Sequence, residues 1–215
     1  MTHPGTVLFD LDGTLIDSID LIVESYQHTF RTHGLPDVSR DEIIDGIGTP
    51  LVTVFGRLTQ DQVTIDSWIA TYRAFNLAHH DTMVRPFPGA VEMVRRAQNA
   101  GRRLGLVTSK NNSGARRGLS LVGLDGVMEV IVGADDVTRH KPDPEPVRRA
   151  LEQLGTPARD AVYIGDSHHD VASGKAAGVR TVAVCWGPIG ADRLAAAGAD
   201  FVCATPAEVL ERLGL

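Results

Sequence analysis

Residues 6–15 read Thr-Val-Leu-Phe-Asp-Leu-Asp-Gly-Thr-Leu, and the apolar run 6–9 stops on Asp10. A short apolar run bounded by turn-forming residues reads as a buried strand. Asp10-Leu11-Asp12-Gly13-Thr14 then lies at that strand's carboxyl end. The Pro86-Phe87-Pro88-Gly89 stretch is the next strong punctuation, and beyond it the pattern alternates. Strands are expected at 103–107, 129–132, 161–164, 181–184 and, more briefly, 200–202. Helices are expected at 90–100, 112–121, 146–154, 171–177 and 206–213. Strands alternating with helices imply a parallel sheet covered on both faces.

Residues 17–85 do not alternate. A helix is expected at 17–33, with Asp17 or Ser18 as cap, Ile22, Tyr26 and Phe30 at helical spacing, and Gly34 as its stop. Further helices are expected at 49–58 and 61–79. The fold class is therefore α/β: a Rossmann-like parallel sheet built from 1–16 and 86–215, with a small helical cap, 17–85, inserted after the first strand. There are no internal repeats or low-complexity segments.

The 215 residues suit this plan, with 43% hydrophobic and 22% charged residues. A net charge of −6 argues against a nucleic-acid surface. No apolar stretch reaches the roughly 18 residues of a spanning helix. The chain opens without a charged-then-apolar leader, and Cys185 and Cys203 read as buried free thiols. The expectation is a soluble protein of the reducing cytoplasm, monomer or homodimer, with no membrane partner.

In open parallel sheets, ligands bind beyond the carboxyl ends of the strands. Those ends carry Asp10 and Asp12, then Thr108-Ser109-Lys110, then Lys141 in the next loop, then Asp166 and Asp170. Taken singly, each reads as a turn or cap residue. Gathered in one crevice, the four carboxylates would repel one another unless a hard divalent cation, magnesium beside phosphates, lay among them. Lys141 supplies a fixed positive charge, and Thr108 and Thr14 supply hydrogen-bond donors. Gly13 would let the backbone turn its amides toward a phosphate, with Ser109 beside it.

In these residues the chain resembles the haloacid dehalogenase superfamily, and its phosphatases in particular. Four motifs of that superfamily occur in order across nearly the whole chain: Asp10-Leu11-Asp12-Gly13-Thr14, Thr108, Lys141, and Asp166 with Asp170. The resemblance implies that Asp10 attacks phosphorus to form an aspartyl-phosphate. It implies that Asp12 protonates the leaving group and then activates water, while its backbone carbonyl faces Mg2+. Asp10 and Asp166 would ligate the metal directly, with Asp170 in support. Thr108 and Lys141 would hold the phosphoryl group of a small phosphorylated substrate.

Single residues sort the branches of that superfamily. Asp12 disfavours the dehalogenases. The lysines are Lys110, Lys141 and Lys175, none of them in 17–85, which disfavours the phosphonate-cleaving branch with its Schiff-base lysine. The insert's position is similar to that of the phosphoglycolate phosphatase branch. Sugar-phosphate phosphatases and mutases share the core. Tyr72-Arg73-Ala74-Phe75-Asn76 with His80-Asp81, Lys141-Pro142-Asp143-Pro144-Glu145-Pro146 and Gly165-Asp166-Ser167-His168-His169-Asp170 resemble the PpaX-type pyrophosphatases more closely. Ser167 departs from the Asn expected in that group. His168 and His169 read as helix-start or supporting residues, His79 and His80 as a solvated helix face, and Arg73 and Arg85 as surface charge or an anion clamp. A phospho-accepting receiver domain is the alternative from another class, but it would lack the insert and Asp12.

Overall fold

The computed structural model describes residues 4–215. The chain divides into two compact units, one running to Asp17 and resuming at Arg85–Leu215, the other Ser18–Val84.

The larger unit is built on a six-stranded parallel sheet. Its strands are β1 (Thr6–Phe9), β4 (Arg103–Val107), β5 (Val130–Val132), β6 (Ala161–Gly165), β7 (Arg180–Val184) and β8 (Phe201–Cys203), ordered β5-β4-β1-β6-β7-β8. β1 lies between β4 and β6, with Leu8 opposite Gly105 on one side and Tyr163 on the other. Strands covered on both faces should be apolar throughout, and β1 and β6 are buried at every position. The chain leaves β1 for β4 and β5, then crosses back to β6, β7 and β8. The order therefore reverses at β1, and ligand crevices form at such reversals.

Two short strands, β2 (Ile16–Asp17) and β3 (Arg85–Pro86), pair antiparallel where the insert leaves and rejoins the sheet unit. They were not expected, because two residues carry no periodicity. Asp17 sits in β2 rather than capping a helix.

Helices α5 (Ala90–Asn99), α6 (Asn112–Leu121), α7 (Glu145–Leu154), α8 (His168–Ala177), α9 (Ala191–Ala196) and α10 (Pro206–Leu213) complete this unit. One core cluster joins Leu8, Val107, Val132 and Tyr163 on the strands to Val147, Leu151 and Leu154 on α7. α9 was not expected; it is a short, Ala-rich helix that buries only Leu194.

The second unit holds α1 (Ile19–Thr32), α2 (Arg40–Gly46), α3 (Leu51–Gly56) and α4 (Gln62–Met83). Its own core contains Ile22, Tyr26, Phe30, Phe55, Trp68 and Tyr72, with Phe55 and Trp68 meeting edge to face at 5.7 Å. Ser18 takes the N-cap position of α1 but makes no side-chain cap bond. The unexpected α2 starts on a Ser39–Glu42 capping box. α4 runs past the expected end at 79, and His80 on it is buried at 1% exposure, so the solvated-face reading of His80 is corrected. His79 is half-buried and stacks on Phe75, while Arg73 and Arg85 are exposed. Among the described residues, no helix is long and apolar enough to cross a membrane.

Candidate active site

The carboxyl ends of β1, β4 and β6 bring most of the expected residues together. β1 runs directly into Asp10, whose backbone N–H donates to Ile164 O on β6 at 2.8 Å. Asp166 follows β6, and Asp170 sits in the first turn of α8. Ser167 caps that helix: Asp170 N donates to Ser167 Oγ at 3.2 Å, and Ser167 Oγ donates back to Asp170 Oδ2 at 2.6 Å. His168 and His169 open the helix. Carboxylate oxygens of Asp10, Asp166 and Asp170 all lie within 4.8 Å of one another, and all three residues are buried. Asp12 is outside this group, and its carboxylate is turned to Lys110, whose Nζ donates to Oδ1 at 2.6 Å.

Lys141 faces the cluster from the loop before α7. Its Nζ lies 3.0 Å from Asp10 Oδ1 and 2.7 Å from Asp170 Oδ1. It also donates to Tyr163 Oη at 3.1 Å. That phenol reaches both Asp170 Oδ1, at 2.8 Å, and Val107 O, at 3.0 Å. Tyr163 was missed in the sequence, where it reads as one more large residue in an apolar strand. A buried tyrosine hydroxyl needs a partner, and here it braces the lysine and a carboxylate together.

Two expectations change. The Gly13 N–H donates to Ile16 O at 2.9 Å and the Thr14 N–H to Leu11 O at 3.3 Å, so neither amide is turned toward a phosphate. Gly13 has φ +85°, and a Cβ there would fall 2.2 Å from Asp166 Oδ2; the glycine makes room for the Asp166 carboxylate. Thr14 Oγ1 is fully buried and donates to Asp166 Oδ1 at 3.0 Å, so its one proton orients Asp166. Thr108 is buried just past the end of β4, and its Oγ1 accepts from Lys110 N at 3.2 Å. Ser109 is half-buried beside it.

Two further residues follow β7. Trp186 Nε1 donates to Thr14 O at 2.9 Å. A Cβ on Gly187 would come within 2.7 Å of Gly13 O and 2.8 Å of Asp166 Cβ. The loop after β7 thus backs the Asp10–Thr14 turn. Its sequence, Trp-Gly, offers no titratable group to single it out.

The electrostatics follow from burial. Burial pushes Asp10 up to about 7, with Asp170 and Asp12 adding to the rise and Lys141 opposing it. Asp166 is pushed well above the usual carboxylate range by burial, then by Asp170 and Asp10. For Asp170, burial is outweighed by Lys141 and by bonds from Ser167 and Tyr163, and its carboxyl is held low. Lys141 is held protonated by Asp10 and Asp170 against burial. Asp10 Oδ1 is buried without an aligned hydrogen-bond donor, although the ammonium of Lys141 is close by. An all-oxygen cluster with an under-satisfied carboxylate fits a hard divalent cation.

A family model for haloacid dehalogenase-like hydrolases matches residues 7–184. The pyrophosphatase PpaX of Halalkalibacterium halodurans is 40% identical over 211 residues, covering 98% of this chain and 97% of its own. A solved structure from Bacteroides fragilis, assigned as a haloacid dehalogenase-like hydrolase, superposes with a TM-score of 0.88 at 29% identity, over 96% of this chain and 99% of its own. Another, from Lactobacillus plantarum and assigned as a phosphoglycolate phosphatase, gives a TM-score of 0.85 at 25% identity, over 98% of this chain and 100% of its own. With the family model running from β1 through β7 and taking in the whole carboxylate cluster, the chain belongs to the haloacid dehalogenase-like hydrolases.

Proposed function

We propose that this hydrolase is a magnesium-dependent phosphohydrolase that works through a phosphorylated Asp10, with inorganic pyrophosphate as its substrate. The observation that carries the chemistry is the buried Asp10 carboxylate, 3.0 Å from Lys141 and grouped with Asp166 and Asp170. The substrate assignment is supported by the 40% identity to PpaX across nearly the full chain.

Asp10, Asp166 and the Asp12 carbonyl would hold Mg2+, with Asp170 behind them. When bound, the ion offsets the repulsion among the carboxylates and the charge on the phosphoryl oxygens. Asp10 attacks phosphorus in line with the leaving oxygen. Lys141 and the Thr108 hydroxyl steady the phosphoryl oxygens. Asp12 gives a proton to the departing group and later takes one from the water that cleaves the aspartyl-phosphate. A covalent intermediate divides one hard displacement into two easier ones. Ser18–Val84 would act as the cap that selects the substrate.

Phosphoglycolate and sugar phosphates are the competing substrates, and Ser167, standing where the PpaX-type group is expected to have Asn, was the residue weighing against pyrophosphate. Its observed work is to cap α8 and bind Asp170. Asn caps a helix as well as Ser does, so Ser167 carries little weight between substrates. A phosphate-release screen with magnesium tests the assignment. Pyrophosphate should be turned over with the highest kcat/KM, and a higher value for phosphoglycolate or a sugar phosphate would overturn it.

A pH dependence follows from Asp10, raised from 3.8 to about 7 in the folded, metal-free protein. For such a group, the stability conferred by its proton is full below the unfolded value and is lost as pH rises through the folded one. A cation must displace that proton. With Asp166 raised as well, magnesium binding should therefore be at least about tenfold weaker at pH 6 than at pH 8, and its stabilising shift in Tm correspondingly smaller. Equal shifts at the two pH values would contradict competition at Asp10.

A further inference from the structure

Two lysines reach the turn that carries Asp10 and Asp12. Lys141 is committed to the buried cluster through Asp10, Asp170 and Tyr163, and its side chain is 2% exposed. Lys110 reaches Asp12 instead. It pairs with Asp12 at 2.6 Å, and the two side chains are 15% and 13% exposed. Lys110 is a held residue and not a free surface one. Its N–H donates to Thr108 Oγ1 at 3.2 Å, and its carbonyl accepts from Ala134 N at 2.9 Å. Its stem crosses the first turn of α6 at Gly114, where a Cβ would meet Lys110 Cγ and Cδ at 3.1 and 3.2 Å. At Gly133 a Cβ would come within 2.9 Å of the Lys110 carbonyl. Two glycines thus leave space for a lysine held over the acid/base carboxylate.

We propose that Lys110 is a specificity-determining residue that offsets the charge of an anionic leaving group, and so favours phosphoric anhydrides over alkyl phosphate esters. This rests on the reading of Asp10 as nucleophile and Asp12 as proton donor. In the first step, the bond from Asp10 Oδ to phosphorus forms. The bond from phosphorus to the leaving oxygen breaks, and its electron pair stays on that oxygen. Once Asp12 has delivered its proton, an alcohol departs neutral. A departing phosphate remains an anion even after it has taken the proton, and acetate, a weak base, departs as an anion without taking it. A fixed ammonium 2.6 Å from Asp12 therefore acts on the second kind of leaving group and has little to act on in the first. In the second step the oxygen of water bonds to phosphorus, and the bond from Asp10 Oδ to phosphorus breaks with its electron pair returning to the carboxylate. Asp12 takes a proton from that water in place of the one it gave; the sum is pyrophosphate plus water giving two phosphates.

The test compares Lys110→Met and Lys110→Arg with wild type on pyrophosphate, acetyl phosphate and glycerol 2-phosphate, all with magnesium. In the Met variant, kcat/KM for the two anhydrides should fall about 100-fold and that for the alkyl ester less than about tenfold, with Arg recovering most of the difference. Equal losses on all three substrates would overturn the proposal, as would a wild type inactive on both anhydrides. Cleavage of acetyl phosphate but not pyrophosphate, with the selective loss intact, would keep the role of Lys110 and remove the pyrophosphate assignment.

Discussion

Asp10→Asn should lower phosphate release by on the order of 10⁵-fold while the protein stays folded. The amide has the carboxylate's shape but cannot act as a nucleophile, and no covalent phosphate should appear on the variant by mass measurement. Folding should survive because the environment already disfavours charge at this position. Burial, Asp170 and Asp12 push Asp10 up to about 7, so near neutral pH the metal-free site holds much of it protonated. Asparagine imitates that neutral form. It loses the ion pair to Lys141 and also removes repulsion toward Asp166 and Asp170, which share the cluster. The Tm without metal should change by only a few degrees, while the rise in Tm on adding magnesium should shrink. Normal magnesium-dependent turnover by this variant would remove Asp10 from the nucleophile role.

The residues legible in the sequence are those whose chemistry and position both stand out. The 6–9 run and the alternation after residue 90 identify the parallel sheet, because strands covered on both faces must be apolar and must be joined by helices. Asp10, Asp166, Asp170 and Lys141 are legible because, although each alone reads as a turn or cap residue, together they follow successive expected strands, where ligands bind in such sheets. What escaped notice lacks such a signal. β2 and β3 are too short for periodicity. Tyr163 is hidden in a core strand, and only its hydroxyl contacts give it a role. Trp186 and Gly187 act through an indole N–H and through the absence of a side chain. Lys110 was placed at a strand end but given no role, because its pairing with Asp12 joins positions 98 residues apart. Thr14 and Gly13 were tied to the right site but to phosphate; the folded chain uses both to position Asp166.

That reassignment makes Gly13→Ala the sharpest structural test. Gly13 has φ +85°, and the added Cβ would sit 2.2 Å from Asp166 Oδ2 and 2.5 Å from Cγ. Neither side has slack. Asp166 is held by Thr14 Oγ1 at 3.0 Å, and Gly187 packs so closely behind the turn that its own Cβ would be 2.7 Å from Gly13 O. Gly34 supplies the control, with φ +63° and nothing within 4 Å of an added methyl group. Gly34→Ala should cost only the left-handed strain, about 1–2 kcal/mol, with kcat unchanged and a lower Tm. Gly13→Ala carries the same strain and must also displace Asp166. It should lower kcat/KM about 100- to 1,000-fold and raise the magnesium concentration needed for half-maximal rate. Thermal denaturation and magnesium titration of both variants separate the two effects. If Gly13→Ala lost only what Gly34→Ala loses, Asp166 would have room to move without consequence, and the close approach at Gly13 would be packing and not catalysis.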